Sequence, residues 1–158
     1  MESKIKSATI EDLKRVQELN LMLFEKEYAE FDNTLNYKWT FGEDGTAYFK
    51  RRITEDDGCV FVAKIDNEIV GYLAGGLMEN KKSYRVLPNS AELENMFVID
   101  NRRGTGIGSK LYQAFVDWSK LKGVKRLRVG AYAQNVAGIS FYRKNGFSDY
   151  DLILETNL

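Results

Sequence analysis

The chain has 158 residues, of which 44% are hydrophobic and 29% charged, values typical of a single soluble domain. Lysine plus arginine (23) balances aspartate plus glutamate (23), which argues against a dedicated nucleic-acid-binding protein, since these usually carry a basic excess. The absence of histidine excludes Ser-His-Asp and Cys-His catalysis and nearly all zinc sites, so we expect no metal.

The same inventory bears on location and domain organisation. No apolar run approaches the roughly 20 residues of a membrane helix, and residues 1–6 lack the apolar core of a secretory signal, so we expect a cytoplasmic protein with no membrane contact. The lone cysteine, Cys59, heads an apolar run, which predicts a buried structural thiol. No repeat or linker interrupts the chain, which predicts a single domain over residues 1–158.

The first half predicts, in chain order, a strand, a long helix, a short helix and a hairpin. Their bounds are residues 4–8, 9–28, 45–54, and 59–65 with 68–78. Thr9 and the two acids that follow Ile10 are typical of a helix start. The dipeptide Asp66-Asn67 is typical of a tight hairpin turn.

The second half follows a polar loop at residues 79–90 and alternates strands with helices. The predicted bounds are 91–99, 106–122, 125–132, 136–145 and 148–155. The helix 106–122 carries one apolar face and ends at Gly123, a typical C-cap glycine. This order predicts a mixed α/β domain with helices covering a central sheet.

The most informative stretch is the turn that precedes the helix 106–122. It reads Arg103-Gly104-Thr105-Gly106-Ile107-Gly108-Ser109. Glycines let backbone N–H groups approach an anion, and a helix start adds unsatisfied donors and a positive dipole end. The turn therefore predicts a phosphate or pyrophosphate site, the alternative being a glycine-rich connection that binds nothing. Its G-x-G-x-G spacing differs from the dinucleotide and P-loop patterns.

Two segments resemble the GNAT superfamily of N-acetyltransferases. Arg103 to Gly108 resembles its R/Q-x-x-G-x-G/A signature. Residues 135–147, NVAGISFYRKNGF, are similar to its later N-x-x-A-x-x-F-Y-x-K-x-G-F segment, with Gly138 in place of the usual alanine. The likeness covers about residues 3–155 in element order and is motif-specific in residues 91–147. It implies a central mixed, mostly antiparallel sheet flanked by helices.

The resemblance also implies the reaction and the cofactor contacts. Acetyl-coenzyme A would donate its acetyl group to a primary amine in a ternary complex, with residues 103–109 cradling the pyrophosphate. The backbone of Met96, Phe97 and Val98 would pair with the pantetheine arm, and Asn135 would also contact the cofactor. Similar proteins are often dimers, so the resemblance allows a homodimer.

Two residues are the predicted catalysts. The resemblance places Tyr142 near the thioester sulfur, where a neutral phenol can protonate the leaving thiolate as general acid and contact the cofactor. The alternative is a tyrosine packed in the core.

Glu94 is the predicted general base, acting directly or through water. Strict alternation places Glu92, Glu94, Met96 and Val98 on one face of their strand. The run Leu-Glu-Asn-Met-Phe-Val looks like the corresponding strand of polyamine-acetylating members, where a glutamate occupies this place. The alternative is a solvated or ion-paired carboxylate, and Glu92 is the fallback if a bulge shifts the register.

The acceptor is predicted from residues 24–44, where six acids and two bases are interleaved with aromatic residues. Acids and aromatic faces together suit a small cationic amine such as a polyamine, an aminoglycoside or an amino-acid derivative. The candidate contacts are Glu27, Tyr28, Phe31 and Glu92. Alternatives are an ordinary charged surface, acetylation of a protein N-terminus or lysine, a non-catalytic acyl-CoA-binding domain, and a different nucleotide enzyme.

Overall fold

The computed structural model describes residues 2–79 and 84–158, and within them five strands form one sheet in the order β1-β2-β3-β4-β5. The strands are β1 (Lys4–Ser7), β2 (Gly58–Ile65), β3 (Glu68–Leu77), β4 (Ser90–Val98) and β5 (Arg126–Val129). The helices are α1 (Leu13–Glu30), α2 (Glu43–Thr54), α3 (Ile107–Leu121) and α4 (Val136–Lys144). Short 3-10 turns cover Ile10–Asp12, Tyr37–Phe41 and Asp100–Arg102. Neighbouring strands are antiparallel except β4 and β5, which confirms the predicted mixed, mostly antiparallel sheet.

Helices cover both faces of the sheet, and each face has its own apolar core. The α1 and α2 side buries residues that include Val16, Leu19, Phe49, Tyr72 and Phe97. The α3 side buries residues that include Leu73, Leu93, Leu111, Tyr112 and Phe115. Each fully buried side chain of this size contributes about 1.5–3 kcal/mol. The two cores make the sheet between them a rigid support for the polar groups of β4.

Three local predictions from the sequence are confirmed. The Asp12 side chain accepts a hydrogen bond from the Thr9 backbone N–H at 2.9 Å, which completes a capping box ahead of α1. Asp66 and Asn67 have φ angles of 48° and 68°, as a two-residue hairpin turn between right-twisted strands requires. Cys59 is a buried free thiol.

The predicted last strand at residues 148–155 is wrong. These residues follow α4 without regular secondary structure, and Leu152, Ile153 and Leu154 are 69, 83 and 83% exposed. An apolar run favours a strand, but a strand also needs a hydrogen-bonded neighbour. Among the described residues, no strand forms a backbone ladder with this segment. The strand predicted at 125–132 is likewise shorter, because β5 loses its pairing with β4 after Val129.

The polar loop predicted at residues 79–90 includes residues 80–83, which lie outside the described part of the chain. Among the described helices, none combines the length and apolar character that crossing a bilayer requires. The described residues also form no group of three or more Cys, Asp or Glu side chains that could hold a metal ion.

Candidate active site

The turn between β4 and α3 presents free backbone donors. Gly104 and Gly106 have φ angles of +74° and +84°, in the left-handed region that glycine adopts without strain. A Cβ at either position would meet no described atom within 4 Å, so the backbone conformation, and not lack of space, requires glycine. No described side chain caps α3, and its first turn holds no acid. Its first N–H groups and positive dipole end can therefore receive an anion.

Arg103 is folded back over the end of β4. Its Nε donates to the Val98 carbonyl at 3.0 Å, Nη2 lies 3.2 Å from Asp100 Oδ1, and the guanidinium carbon lies 5.0 Å from the centre of the Phe97 ring. The Asp100 side chain is 83% exposed, and such surface ion pairs contribute at most about 1 kcal/mol. A phosphate can compete for this guanidinium, and its predicted contact with a pyrophosphate stays a prediction.

A bulge in β4 opens the sheet beside β5. Asn95 pairs with Ala74, but the next pair along the ladder joins Leu93 to Gly75, so Glu94 is the extra residue. The pairing of β5 with β4 stops at Leu93. No described strand therefore pairs with the β5-facing edge at residues 96–98. This free edge suits an extended ligand that carries amide groups, as predicted for the pantetheine arm.

The same bulge makes the predicted face of β4 wrong. Strict alternation would place the two glutamates with Met96 and Val98, but the extra residue reverses the alternation. Met96 and Val98 pack against the core under α3. Glu94 instead contacts α2, and Glu92 lies on the same side, where the charge of Glu94 acts on it.

Glu94 is held by side chains of α2. Its Oε1 accepts from Arg52 Nε at 2.7 Å and from the Tyr48 hydroxyl at 2.8 Å, and its Oε2 accepts from Arg52 Nη2 at 3.0 Å. Arg52 lies over Gly58 and Gly76, where a Cβ would approach it to 2.6 and 2.8 Å. Because a carboxylate has about four acceptor sites, one remains, on Oε2. Glu94 is therefore an ion-paired carboxylate, which is the alternative that the sequence analysis gave for it. Its role as a general base stays a prediction.

A chain of hydrogen bonds connects this carboxylate to the interior. Asn95 Nδ2 donates to the Tyr48 hydroxyl at 3.1 Å, and the Tyr72 hydroxyl donates to Asn95 Oδ1 at 2.6 Å. Asn20 Nδ2 donates to Tyr72 at 2.9 Å, and Thr40 Oγ1 donates to Asn20 Oδ1 at 2.6 Å. Burial raises the pKa of both tyrosine hydroxyls. A buried network in which each member has partners is rigid, so it holds the bulge in place.

Glu92 is the less constrained carboxylate of β4. It is half-buried, and no described residue donates a hydrogen bond to its side chain. Burial, and then the negative charge of Glu94, raise the pKa of Glu92, while Arg128 and Arg52 oppose the shift. A carboxylate with a raised pKa is a stronger proton acceptor. Glu92 therefore has the electrostatics of a base, which supports it as the fallback.

Tyr142 lies in α4 with its ring against two phenylalanines. The ring centroids are 5.4 Å from Phe141 and 5.6 Å from Phe147. Burial, together with the negative charge of Glu27, raises the pKa of Tyr142 to about 12. No described residue hydrogen-bonds its hydroxyl, and the phenol is fully protonated at neutral pH. These properties suit a proton donor, but a packed tyrosine would share them, so the catalytic role stays a prediction.

Asn135 starts α4 as its N-cap. Its Oδ1 accepts from the Gly138 N–H at 3.1 Å. A Cβ at Gly138 would lie 2.5 Å from Asn135 Nδ2, so the alanine that the related motif carries after the same asparagine would require this side chain to shift. The predicted contact of Asn135 with the cofactor stays a prediction, and its Nδ2 is the group that could make it.

Glu27 of α1 carries negative charge to the region of Tyr142. Burial raises the pKa of Glu27, with Lys26 opposing the shift and Asp32 adding to it. The charge of Glu27 in turn raises the pKa of Tyr142 and of Tyr132. The structure therefore brings Glu27 near both tyrosines.

A groove of about 530 Å³ follows the C-terminal end of α1. Its lining residues include Tyr28, Glu30, Phe31, Asp32, Tyr132 and Glu155. Tyr132 stacks on Phe31 with ring centroids 5.7 Å apart and donates to Asp32 Oδ2 at 2.9 Å. The predicted acceptor contacts Tyr28 and Phe31 thus meet in one acidic, aromatic groove, whereas Glu27 and Glu92, the other two predicted contacts, do not line it.

Three residues of this region were missed in the sequence. Arg52 and Tyr48 belong to a helix with ordinary charged and apolar positions, and Tyr132 follows a short strand. Their partners lie far along the chain, at separations of 42 residues for Arg52 with Glu94 and 100 for Tyr132 with Asp32. No local pattern signals such pairs.

Comparison with known proteins places the chain in a family. The sequence profile of the acetyltransferase (GNAT) family matches residues 16–147. An uncharacterised N-acetyltransferase of Methanocaldococcus jannaschii is 27% identical over 135 residues, which are 84% of this chain but only 57% of that relative. An N-alpha-acetyltransferase of Sulfurisphaera tokodaii is 22% identical over 156 residues, 96% of this chain and 84% of the relative.

Solved structures share the fold. A Bacillus halodurans protein has a TM-score of 0.86 at 20% identity and covers 98% of this chain and 99% of its own. The PaiA N-acetyltransferase of Thermoplasma acidophilum, in complex with coenzyme A, has a TM-score of 0.79 at 24% identity, covering 97 and 94%. An aminoglycoside N-acetyltransferase in complex with coenzyme A has 0.78 at 15% identity, covering 99 and 95%.

Proposed function

The chain belongs to the acetyltransferase (GNAT) family, and from that premise we propose that it transfers acetyl from acetyl-coenzyme A to the primary amine of a small cationic molecule. The observation that carries the proposal is the free edge of β4 at residues 96–98, which leads directly to the glycine turn before α3. An extended arm and a diphosphate follow one another in coenzyme A in the same way. Coenzyme A is bound in the similar Thermoplasma structure.

The residues present fit this co-substrate. Backbone groups of Met96, Phe97 and Val98 pair with the amides of the pantetheine arm. The free N–H groups at Gly106 to Ser109 and the positive end of α3 bind the diphosphate. Arg103 exchanges its surface contact with Asp100 for a phosphate oxygen.

The chemistry needs no covalent enzyme intermediate. Once the ammonium has lost one proton, the amine nitrogen attacks the thioester carbonyl carbon, and the tetrahedral intermediate then collapses, breaking the carbon–sulfur bond. The nitrogen loses a second proton as the amide forms, and this proton passes through water to the Tyr142 oxygen, which replaces the one that Tyr142 gives to the thiolate. Tyr142 gives its proton to the departing thiolate as general acid, which its raised pKa of about 12 permits because the phenol stays neutral before the reaction.

Deprotonation of the acceptor falls to β4. An aliphatic amine has a pKa near 10, so only about one molecule in a thousand is free base at pH 7. Glu94 takes the proton through the acceptor site left on Oε2, directly or through a water, while Arg52 and Tyr48 orient its carboxylate. Glu92, with its raised pKa, is the alternative acceptor on the same face.

The acceptor is cationic because the surfaces near Tyr142 are acidic and aromatic. Glu27 lies close enough to act on the pKa of Tyr142 and Tyr132. Asp32 and the stacked rings of Phe31 and Tyr132 line the adjoining groove. Carboxylates and aromatic faces both attract ammonium groups. The aminoglycoside N-acetyltransferase with a similar fold is named for an acceptor of this kind, since aminoglycosides are polycationic amines.

The proposal is tested by thiol release from acetyl-coenzyme A in the presence of polyamines, aminoglycosides, amino-acid derivatives and short peptides with free N-termini. We expect turnover with at least one small polycation. Turnover with peptides alone would contradict a small-molecule acceptor. It would indicate acetylation of protein N-termini, the activity for which the Sulfurisphaera relative is named. Coenzyme A binding by calorimetry without turnover on any amine would reduce the protein to a non-catalytic binding domain.

A further inference from the structure

The helix α4, which carries Tyr142, packs on the rest of the molecule through α3. Phe141 and Phe147 lie against Tyr112 of α3, with ring centroids 6.2 and 6.0 Å apart. Among the described residues, the core beneath α1 and α2 includes none beyond residue 99. The strand before α4 adds little, because β5 has no described pairing with β4 beyond Val129. Support for α4 on the α1 side therefore has to come from outside that core.

Tyr132, in the loop between β5 and α4, supplies a contact on the α1 side. Its ring stacks on Phe31 at the end of α1, with centroids 5.7 Å apart and planes inclined by 28°. Its hydroxyl donates to Asp32 Oδ2 at 2.9 Å. Asp32 is itself held, because its Oδ1 accepts from the backbone N–H of Thr34 at 3.0 Å and from the Thr34 hydroxyl. The stack and the hydrogen bond of Tyr132 are called the Tyr132 bridge from here on.

The Tyr132 bridge is connected to the start of α4. The Tyr132 carbonyl accepts from the Asn135 N–H at 2.9 Å, and the Asn135 carbonyl accepts from the Ile139 N–H at 3.0 Å. Tyr142 lies about two helical turns beyond Asn135. Because a hydrogen-bonded helix moves as a unit, a shift of the loop at Tyr132 is passed along α4 to Tyr142.

The two tyrosines belong to the same region of the molecule. The negative charge of Glu27 on α1 contributes to the raised pKa of both Tyr132 and Tyr142. The bridge thus joins α1, which carries the proposed acceptor contacts, to the element that carries the proposed general acid. The distance between these two elements matters, because a misplacement of about 1 Å can lower a rate on the order of 100-fold.

We propose that Tyr132 is a positioning residue, which holds α4, and with it Tyr142, at the distance from α1 that acetyl transfer requires. The inference rests on the proposed function, since it takes Tyr142 as the general acid and the end of α1 as the acceptor site. Tyr132 itself transfers no proton, because its hydroxyl stays bonded to Asp32. Its part in the reaction is to fix geometry.

The first test compares two substitutions of Tyr132 in single-turnover and steady-state acetyl transfer. Tyr132→Phe keeps the ring on Phe31 and removes the hydrogen bond, whereas Tyr132→Leu removes both contacts. We expect the single-turnover rate to fall about tenfold in the first variant and about 100-fold in the second, with coenzyme A affinity unchanged. In Tyr132→Phe the acceptor KM should not rise, because the freed Asp32 carboxylate still attracts a cation.

Tyr150→Phe is the matched control. It removes a hydroxyl that accepts a hydrogen bond from Arg85, in the same part of the chain but away from α1. Its single-turnover rate should equal that of the wild type. A rate that falls as far as in Tyr132→Phe would overturn the proposal, because the loss of any hydroxyl in this part of the chain would then have the same effect.

The second test is hydrogen exchange, which measures the support of α4 without acetyl transfer. The amides of Asn135 and Ile139 should exchange about tenfold faster in Tyr132→Phe than in the wild type, and at the wild-type rate in Tyr150→Phe. Unchanged exchange in both Tyr132 variants would overturn the proposal. A raised acceptor KM with an unchanged single-turnover rate would also overturn it, since Tyr132 would then be a binding contact. If the wild type acetylates no amine, the proposed function fails, and the exchange rates still decide whether the Tyr132 bridge holds α4.

Discussion

Replacing Gly106 by aspartate and, separately, by asparagine separates the charge of the glycine turn from its shape. Both residues enter the left-handed region more readily than other non-glycine residues, so they share the strain of a φ angle of +84°. A Cβ at this position meets no described atom within 4 Å, so neither side chain clashes with the protein. The difference between the two variants therefore reports the charge alone.

The expected difference follows from the exposure of the turn. Two unit charges 4 Å apart interact by about 1 kcal/mol in water and by about 4 kcal/mol at an effective dielectric constant near 20. Residues 103–106 are exposed, so the lower figure applies. The two negative charges of a diphosphate double it to about 2 kcal/mol, which corresponds to binding about thirtyfold weaker for the aspartate variant.

Calorimetric titration with coenzyme A measures the two affinities, at low salt and again at high salt, where screening should narrow the gap. Gly123 provides a matched control, because its φ angle is +74° and it lies beyond the opposite end of α3. Its aspartate and asparagine variants should bind coenzyme A equally. Equal affinity of the two Gly106 variants, both folded, would refute the assignment of the diphosphate to this turn.

Four further substitutions test the catalytic assignments. Tyr142→Phe should keep coenzyme A affinity and lower the rate of the chemical step by about 10²–10⁴-fold; a single-turnover rate above half of wild type would leave Tyr142 a packing residue. Glu94→Gln should displace the pH–rate profile upward and lower the free energy of unfolding by about 1–3 kcal/mol in denaturant melts, because Arg52 loses its charged partner; an unchanged profile would pass the base role to Glu92. Glu92→Gln should raise stability at pH 7 and lose this advantage at low pH. The pKa of Glu92 is raised in the native state, so the native protein keeps a proton that the unfolded chain releases near pH 4.3. The free energy of unfolding of the wild type therefore falls as the pH rises from about 4.3 through the native pKa. A stability difference between wild type and Glu92→Gln that does not change with pH would contradict this prediction. Glu27→Gln should raise the acceptor KM about tenfold with little change in coenzyme A affinity, and an unchanged KM would remove Glu27 from the acceptor site.

Local features of the chain were predictable because their causes lie within a few residues. The left-handed glycines, the capping box at Thr9 and the hairpin turn at Asp66-Asn67 each depend on one or two backbone angles that particular residue types favour. The apolar periodicity of α3 likewise specifies which of its faces is buried. The family resemblance adds roles to these positions but not the geometry of their side chains.

The register of β4 shows where such prediction stops. Alternation is a two-residue rule, and one inserted residue at Glu94 reverses it for the rest of the strand. The bulge is held by Arg52, Tyr48 and a hydrogen-bond chain that reaches α1. Those partners are distant in sequence and become neighbours only when α2 packs on the sheet.

Residues 148–155, at the C-terminal end of the chain, show the same division between sequence and tertiary structure most clearly. Their composition specifies a strand-forming, apolar and acidic stretch, and this much is readable from the residues alone. Whether it becomes a strand depends on a neighbour that supplies backbone donors and acceptors, and pairing is a property of two segments, not of one. Sequence thus determined the local chemistry of the turn, the caps and the apolar faces, whereas tertiary structure decided which carboxylate is paired, which strand edge is open and which segment lacks a partner.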